Sequence, residues 1–175
     1  MGAPVRARAR ALVGTATFLV VAPGVVAGLV PWWMTGWQVQ LALPLGLRGS
    51  GAAVIAAGAF VLLGAFARFA LEGLGTPAPI APTQRLIVTG AYRYVRNPMY
   101  LAVAALILGQ ALLLGQVRLG AYALVFGAAV AAFVRLYEEP TLRRQFGAEY
   151  EAYARAVPRW WPRLRPWTPP DAGRV

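Results

Sequence analysis

Residues 90–100 read GAYRYVRNPMY, and this polar stretch lies between two long apolar segments of the chain. It carries two arginines, three tyrosines and an Asn-Pro pair directly beside a predicted membrane span. Ionisable groups at such a depth are costly unless they pair with one another or bind a ligand. A second polar cluster, with Arg135, Glu138 and Glu139, follows the last apolar segment. Together the two clusters predict one site at a single membrane surface.

The apolar segments define the predicted architecture. They run over about residues 11–30, 51–71, 99–114 and 119–137. A bilayer core requires about 20 apolar residues as a helix, with a range of about 17–25. The last two segments are joined by a short connection and predict a helical hairpin, followed by an amphipathic helix near 140–156. We therefore expect an all-α integral membrane bundle of about four transmembrane helices, forming one domain over residues 1–175.

The composition supports a membrane location. The chain is 59% hydrophobic and 13% charged, whereas soluble domains carry about 25% charged residues. All 17 basic residues are arginine and the net charge is +11. Because the arginines flank apolar spans, we attribute them to membrane topology and anionic headgroups rather than to nucleic acid. The scattered glycines are expected at helix–helix contacts.

The arginine distribution also predicts an orientation. With both termini and the loop at 72–98 in the cytoplasm, the outside segments hold only Arg48 and Arg118. This asymmetry follows the positive-inside rule. The opposite segment at 31–50 carries three tryptophans, which predict an interfacial aromatic belt. The residue usage is typical of a GC-rich bacterial genome, so a bacterial inner membrane is expected.

The residue types that are missing exclude several kinds of chemistry. The chain has no cysteine and no histidine, and only six acidic residues. Thiolate nucleophiles, Ser/His/Asp triads and cysteine or histidine metal ligands are therefore excluded, and the carboxylates form no evident metal cage. Any reaction must depend mainly on positioning and electrostatics.

Four ordered motifs carry a family resemblance that covers about residues 72–165. They are G-x-Y-x-x-x-R-N-P-x-Y from Gly90 to Tyr100, E-E-P-x-L from Glu138, F-G-x-E-Y-x-x-Y from Phe146, and V-P-R from Val157. In this order, and beside a helical hairpin, they resemble the isoprenylcysteine carboxyl methyltransferases and their phospholipid N-methyltransferase relatives.

The resemblance implies S-adenosylmethionine as methyl donor, S-adenosylhomocysteine as product and a lipophilic acceptor that enters from the bilayer. The cofactor would bind at the cytoplasmic regions 72–98 and 138–167. The implied cofactor-binding residues are Gln84, Leu86, Ile87, Gly90, Tyr92, Arg96, Asn97, Pro98, Met99, Tyr100, Glu138 and Glu139. Arg135 would hold the polar group of the acceptor and, with Glu139, would form the catalytic pair. Many members carry histidine where this chain has Asn97, and an amide cannot replace histidine in proton transfer.

Several alternatives stay open from the residues alone. Arg135 and Glu139 are four apart and could pair with each other instead of binding ligands. Glu138 could pair with Arg143 or Arg96. A carboxylate or thiol acceptor is favoured because no histidine is available to deprotonate an amine. A phospholipid N-methyltransferase and a non-enzymatic membrane scaffold are the alternatives. The oligomeric state is not predicted.

Overall fold

The computed structural model describes residues 17–72 and 86–168. Within these ranges all regular secondary structure is helical, which confirms the predicted all-α class. The helices are α1 (Thr17–Thr35), α2 (Leu45–Glu72), α3 (Pro98–Leu114), α4 (Val117–Phe133) and α5 (Glu139–Ala156). A 3₁₀ turn at Gly90–Arg93 precedes α3.

Three helical segments are long and apolar enough to cross a membrane, namely Thr17–Thr35, Leu45–Arg68 and the one that begins at Val117. The fourth, α3, has 17 residues, which is at the lower end of the spanning range of about 17–25 residues. Only residues 115–116 separate α3 from α4, so the two helices form the predicted hairpin. The helices extend beyond the predicted apolar segments, because α1 continues past residue 30 to Thr35 and α2 begins before residue 51, at Leu45.

Two π-helical turns interrupt α-helical hydrogen bonding in the bundle, and each turn ends two residues before a proline. Val25–Leu29 precedes Pro31, and Val134–Glu138 precedes Pro140. Proline lacks an N–H and its ring clashes with the carbonyl four residues earlier, so an α-helix cannot pass through it unchanged. A wider turn removes that conflict without ending the helix. As a result α4 continues into α5 without a break at Pro140, and the helical path is interrupted only later, at Gly147, where φ is +52°.

The closest helix packing in the bundle joins α2 to α3 at glycines. A methyl group on Gly109 would lie 2.6 Å from Ile55 Cγ1 and 2.8 Å from the carbonyl oxygen of Gly51. A methyl group on Gly58 would lie 3.0 Å from the carbonyl oxygen of Ala102. Glycine is needed at these positions because only a hydrogen leaves room for the facing backbone. The wider expectation for the scattered glycines is wrong at the helical positions where nothing lies within 4 Å of an added methyl group, which are Gly28, Gly46, Gly49, Gly64, Gly120 and Gly127.

We call residues 32–48 and 110–118 the tryptophan end of the bundle. Trp37 Nε1 donates to Gln110 Oε1 at 3.1 Å, and Gln116 Nε2 donates to the carbonyl oxygen of Gln38 at 2.8 Å. Trp33 is 80% exposed, as a side chain in an aromatic belt would be. Since α3 runs from Pro98 to this end, the polar motif at 90–100 lies at the opposite end.

Candidate functional site

The polar motif is held in place by the residues on either side of it. Gly90 has φ +57°, which favours glycine, and a methyl group there would force the flexible Arg68 side chain of α2 to shift. Asn97 immediately precedes α3, with Pro98 in its first turn, a position that suits proline. The Asn97 side chain does not cap α3; its Nδ2 donates to the carbonyl oxygen of Arg159 at 3.1 Å. The motif is thus tied to the C-terminal segment.

A buried ion triplet lies at the centre of this end. Glu139 is 4% exposed, and Arg159 binds it through two hydrogen bonds of 2.6 Å, from Nε to Oε1 and from Nη2 to Oε2. Arg96 Nη1 lies 2.9 Å from Glu139 Oε1. The hydrogen bonds to Glu139 raise the pKa of Arg159. A two-pronged arginine–carboxylate pair is among the stronger protein ion pairs, so both oxygens of Glu139 are already occupied by protein.

The neighbouring Glu138 has a different environment. Its Oε2 accepts a hydrogen bond of 3.0 Å from the Tyr100 hydroxyl. The alternatives that paired it with Arg143 or Arg96 are wrong, because Arg143 Nε lies 3.1 Å from Glu151 Oε1 and Arg96 binds Glu139. Glu138 is the last residue of the π-helical turn, and both consecutive glutamates line the same cavity.

A polar cavity of about 100 Å³ opens between these side chains. We call it the polar cavity. Its lining combines apolar walls, two phenol rings, an amide and the ionic groups described above. The lining residues are Leu86, Ile87, Tyr92, Arg96, Asn97, Val134, Glu138, Glu139, Leu142 and Tyr150.

Of the predicted cofactor residues, seven line the polar cavity: Leu86, Ile87, Tyr92, Arg96, Asn97, Glu138 and Glu139. Gly90 and Pro98 are not among the lining residues; Gly90 has a positive φ next to the cavity and Pro98 begins α3. Arg135 is exposed and is not among the lining residues, so the structure does not bring it to the cavity. The predicted residue Gln84 lies outside the described residues.

Met99 and Tyr100 line a second cavity of about 110 Å³ between α1, α2, α3 and α4. We call it the apolar cavity, because its exposed surface is entirely apolar. Its other lining residues are Phe18, Ala22, Pro23, Val26, Leu62, Val103 and Phe126. Tyr100 therefore has its ring in the apolar cavity and its hydroxyl on Glu138 of the polar cavity.

Tyr92 is fixed on the opposite side of the polar cavity. The Tyr153 hydroxyl donates to the carbonyl oxygen of Tyr92 at 2.7 Å. Burial, with the Glu138 carboxylate as a smaller contribution, raises the pKa of Tyr92 well above its usual value. Its hydroxyl therefore keeps its proton over the physiological range and acts as a hydrogen-bonding group, not as a base.

Sequence reasoning missed several residues of this site. Val134, Leu142 and Tyr150 line the polar cavity, and Arg159 neutralises Glu139. The signals were present, since Arg159 belongs to the V-P-R motif and Tyr150 to the F-G-x-E-Y motif, but the motifs assign no role to these residues. No cluster of three or more potential metal-ligating acidic residues occurs in the described ranges.

One polar atom in the site lacks a partner. Arg96 Nε is buried and has no hydrogen-bond partner within the part of the chain that the structure describes. A buried donor left unpaired costs about 1–3 kcal/mol. Other atoms of Arg96 line the polar cavity, whereas this nitrogen is buried in the protein.

Fold and site define an integral membrane protein with a polar ligand cavity at one end of a helical bundle. A family model described as phospholipid methyltransferase matches residues 47–149, more than half of the chain. The protein therefore belongs to the phospholipid methyltransferase family, which confirms the resemblance found in the motifs and makes methyl transfer its expected activity. No curated protein and no solved structure matches the chain.

Proposed function

We propose that the protein transfers a methyl group from S-adenosylmethionine to a lipophilic acceptor in the bilayer. The cofactor would occupy the polar cavity and the acceptor would reach it from the apolar cavity. The same arginine asymmetry that follows the positive-inside rule would place this end of the bundle in the cytoplasm. Family membership supports methyl transfer; the donor and the acceptor are our proposal.

The observation that carries the proposal is the hydrogen bond between Tyr100 and Glu138. It joins the two cavities, because the Tyr100 ring lines the apolar one and the Glu138 carboxylate lines the polar one. A lipid with its chain in the apolar cavity would therefore present its headgroup at Glu138. Binding sites commonly combine an apolar lining with a few polar groups that fix orientation.

The residues present fit S-adenosylmethionine. The phenol rings of Tyr92 and Tyr150 suit an adenine or a cationic centre, and Glu138 suits a positive charge. When bound, the cofactor supplies a methyl group already activated on a sulfonium. The protein then contributes mainly alignment, which can supply about 7–11 kcal/mol of the barrier.

The placement of Glu138 favours an amine headgroup as the acceptor. An ammonium must lose a proton before it can react, and the chain has no histidine to accept it. The Glu138 carboxylate, oriented by Tyr100, is placed to accept that proton. A carboxylate acceptor has less support, because Arg96 is the arginine that lines the polar cavity and its Nη1 is paired with Glu139.

Calorimetry with purified protein in lipid nanodiscs tests the cofactor. We expect S-adenosylhomocysteine to bind with micromolar affinity. A transfer assay with radiolabelled S-adenosylmethionine then compares phosphatidylethanolamine with a long-chain isoprenoid acid. Label in the amine lipid supports the proposal, and label in the acid alone would reassign the acceptor. Absence of cofactor binding would favour a scaffold that retains the fold without the chemistry.

A further inference from the structure

The chain after α5, residues 157–168, runs back across the polar motif; we call it the strap. Three backbone hydrogen bonds of 2.9 Å join the two segments, from Arg96 N to Pro158 O, from Arg163 N to Tyr94 O, and from Trp167 N to Arg93 O. Arg93 Nε also donates to the carbonyl oxygen of Trp167 at 2.7 Å. The strap lies outside the residues matched by the family model.

The strap also reaches the interior of the site. Its residue Arg159 supplies the two-pronged contact to Glu139, and its carbonyl oxygen accepts the Asn97 amide. Trp167 packs against Tyr153, with ring centroids 5.4 Å apart. The inner face of the strap thus holds two residues that line the polar cavity, Asn97 and Glu139.

The outer face of the strap has an unusual composition for an exposed segment. Trp161 is 81% exposed and Leu164 is 99% exposed. Arg165 and, at the end of α5, Arg155 are exposed as well. The strap itself carries three arginines and no acidic residue. Exposed tryptophan, leucine and arginine side chains in one short segment match the boundary between headgroups and acyl chains.

The position of the strap also indicates a lipid surface as its partner. Its hydrogen bonds are made to residues 93–97, directly before α3 enters the bundle, so the strap lies at the level where the spans meet the membrane surface. Juxtamembrane arginines attract anionic lipids with a strength of about 1 kcal/mol for each charge near the surface. A lipid surface therefore satisfies both the apolar and the charged side chains.

We propose that the strap docks on the anionic headgroup layer through Trp161, Leu164 and Arg165, and that this docking holds the polar cavity closed for ligand binding. Arg159 links the docking to the cavity. It belongs to the strap, whose Trp161, Leu164 and Arg165 would contact the lipid, and its guanidinium binds Glu139 in the polar cavity. Lipid charge would in this way control cofactor affinity. The docking itself is independent of the proposed function, whereas the effect on affinity depends on it.

A single labelled cysteine tests the docking without reference to activity. The chain has no cysteine, so Pro162→Cys, at an exposed strap position outside the three docking residues, carries one fluorophore in nanodiscs while Trp161, Leu164 and Arg165 stay unchanged. Brominated lipids quench a probe at membrane depth. We expect at least twofold stronger quenching with phosphatidylglycerol than with phosphatidylcholine, and loss of that difference in the additional variant Arg165→Gln. Equal quenching in both lipids would overturn the role of charge, and no quenching in either would overturn docking altogether.

The effect on the site is measured separately by calorimetry of S-adenosylhomocysteine. We expect the wild type to bind about tenfold more tightly in phosphatidylglycerol nanodiscs than in phosphatidylcholine, and the dependence to disappear in Arg165→Gln. Equal affinity in both lipids would overturn the control of the site by lipid. If no binding occurs in either lipid while the label is still quenched, the proposed cofactor fails and the docking stands.

Discussion

The two ends of the bundle use different interactions for the same task of joining separate chain segments. At the tryptophan end, two side-chain amides, an indole and the Arg48 guanidinium, which donates to the carbonyl oxygen of Leu113 at 3.2 Å, join residues 32–48 to residues 110–118, and the large aromatic side chains are exposed. At the site end, the joint is a carboxylate buried between two guanidiniums. A buried ion pair is weak evidence for stability alone. The contrast is that the site end buries a carboxylate with its two arginines, whereas the only ionic group in the joints described for the other end is an arginine on a backbone carbonyl oxygen; we expect the buried carboxylate to serve a ligand.

The largest effect is expected from Glu139→Ala. Removal of this carboxylate leaves Arg96 and Arg159 without their shared partner, and breaking a buried pair costs about 3–5 kcal/mol. The free energy of unfolding should fall accordingly, and binding of S-adenosylhomocysteine should be lost because the cavity wall and the strap separate. Denaturant unfolding in detergent and calorimetry measure the two effects.

Glu149→Ala is the matched control for that variant, because Glu149 is an exposed carboxylate on the same helix. It should change stability by no more than about 0.5 kcal/mol. If Glu139→Ala were as stable as this control and still bound the cofactor product, the ion triplet would have no part in the site, and the distinction between the two ends would fail.

Glu138→Gln should leave stability almost unchanged and reduce turnover strongly. The amide can still accept a hydrogen bond from Tyr100, but it cannot take a proton, and loss of a general base typically lowers the rate by about 10²–10⁴-fold. Glu151→Gln, which alters the exposed pair with Arg143, is the control and should keep full activity. Normal turnover in Glu138→Gln would remove the proposed proton acceptor and reopen the carboxylate acceptor.

The two adjacent glutamates also show how far the sequence could predict this site. The segments that the motifs group together do meet in the structure, since seven of the predicted cofactor residues line one cavity, and their role in cofactor binding stays a prediction. The assumed helical spacing of Arg135 and Glu139 did not describe the structure, because the π-helical turn at Val134–Glu138 changes the direction of successive side chains. Such a turn is signalled only by Pro140, which sequence reasoning took as the start of a new helix.

The spans were predictable for a simpler reason. Bilayer thickness fixes the length of an apolar helix, so hydropathy located the described helices, although α1 continues through Pro31 to Thr35 and α2 begins at Leu45, before the apolar segment predicted from about residue 51. The strap was not predictable, because its contacts with residues 93–97 are mostly made by the backbone. Backbone hydrogen bonds between irregular segments leave no pattern in the residue types.

Between the two ends, Gly109→Ala tests whether the α2–α3 contact is as tight as the geometry indicates. The added methyl would meet Ile55 and the Gly51 backbone, and overpacking of this kind costs about 1–3 kcal/mol. Gly120→Ala is the control on α4, where nothing lies within 4 Å of an added methyl group. That variant should instead gain roughly 0.5–1 kcal/mol from reduced chain entropy. In detergent, the thermal unfolding temperature should be lower than that of the wild type for Gly109→Ala and higher for Gly120→Ala. Equal shifts in the two variants would contradict close packing at Gly109.

The smallest effect is expected at the tryptophan end, from Trp37→Phe. The change removes the 3.1 Å hydrogen bond to Gln110 but keeps an aromatic ring at a position that is 54% exposed. A hydrogen bond contributes about 0.5–1.5 kcal/mol, and exposure to water should keep the loss at the lower limit. Trp33→Phe, at a more exposed position, serves as the control for the loss of an indole as such. Both variants should bind S-adenosylhomocysteine like the wild type, because no residue of this end lines the polar cavity. A Trp37→Phe protein with weakened binding would show that the two ends are coupled through α3, and that the tryptophan end does more than close the bundle.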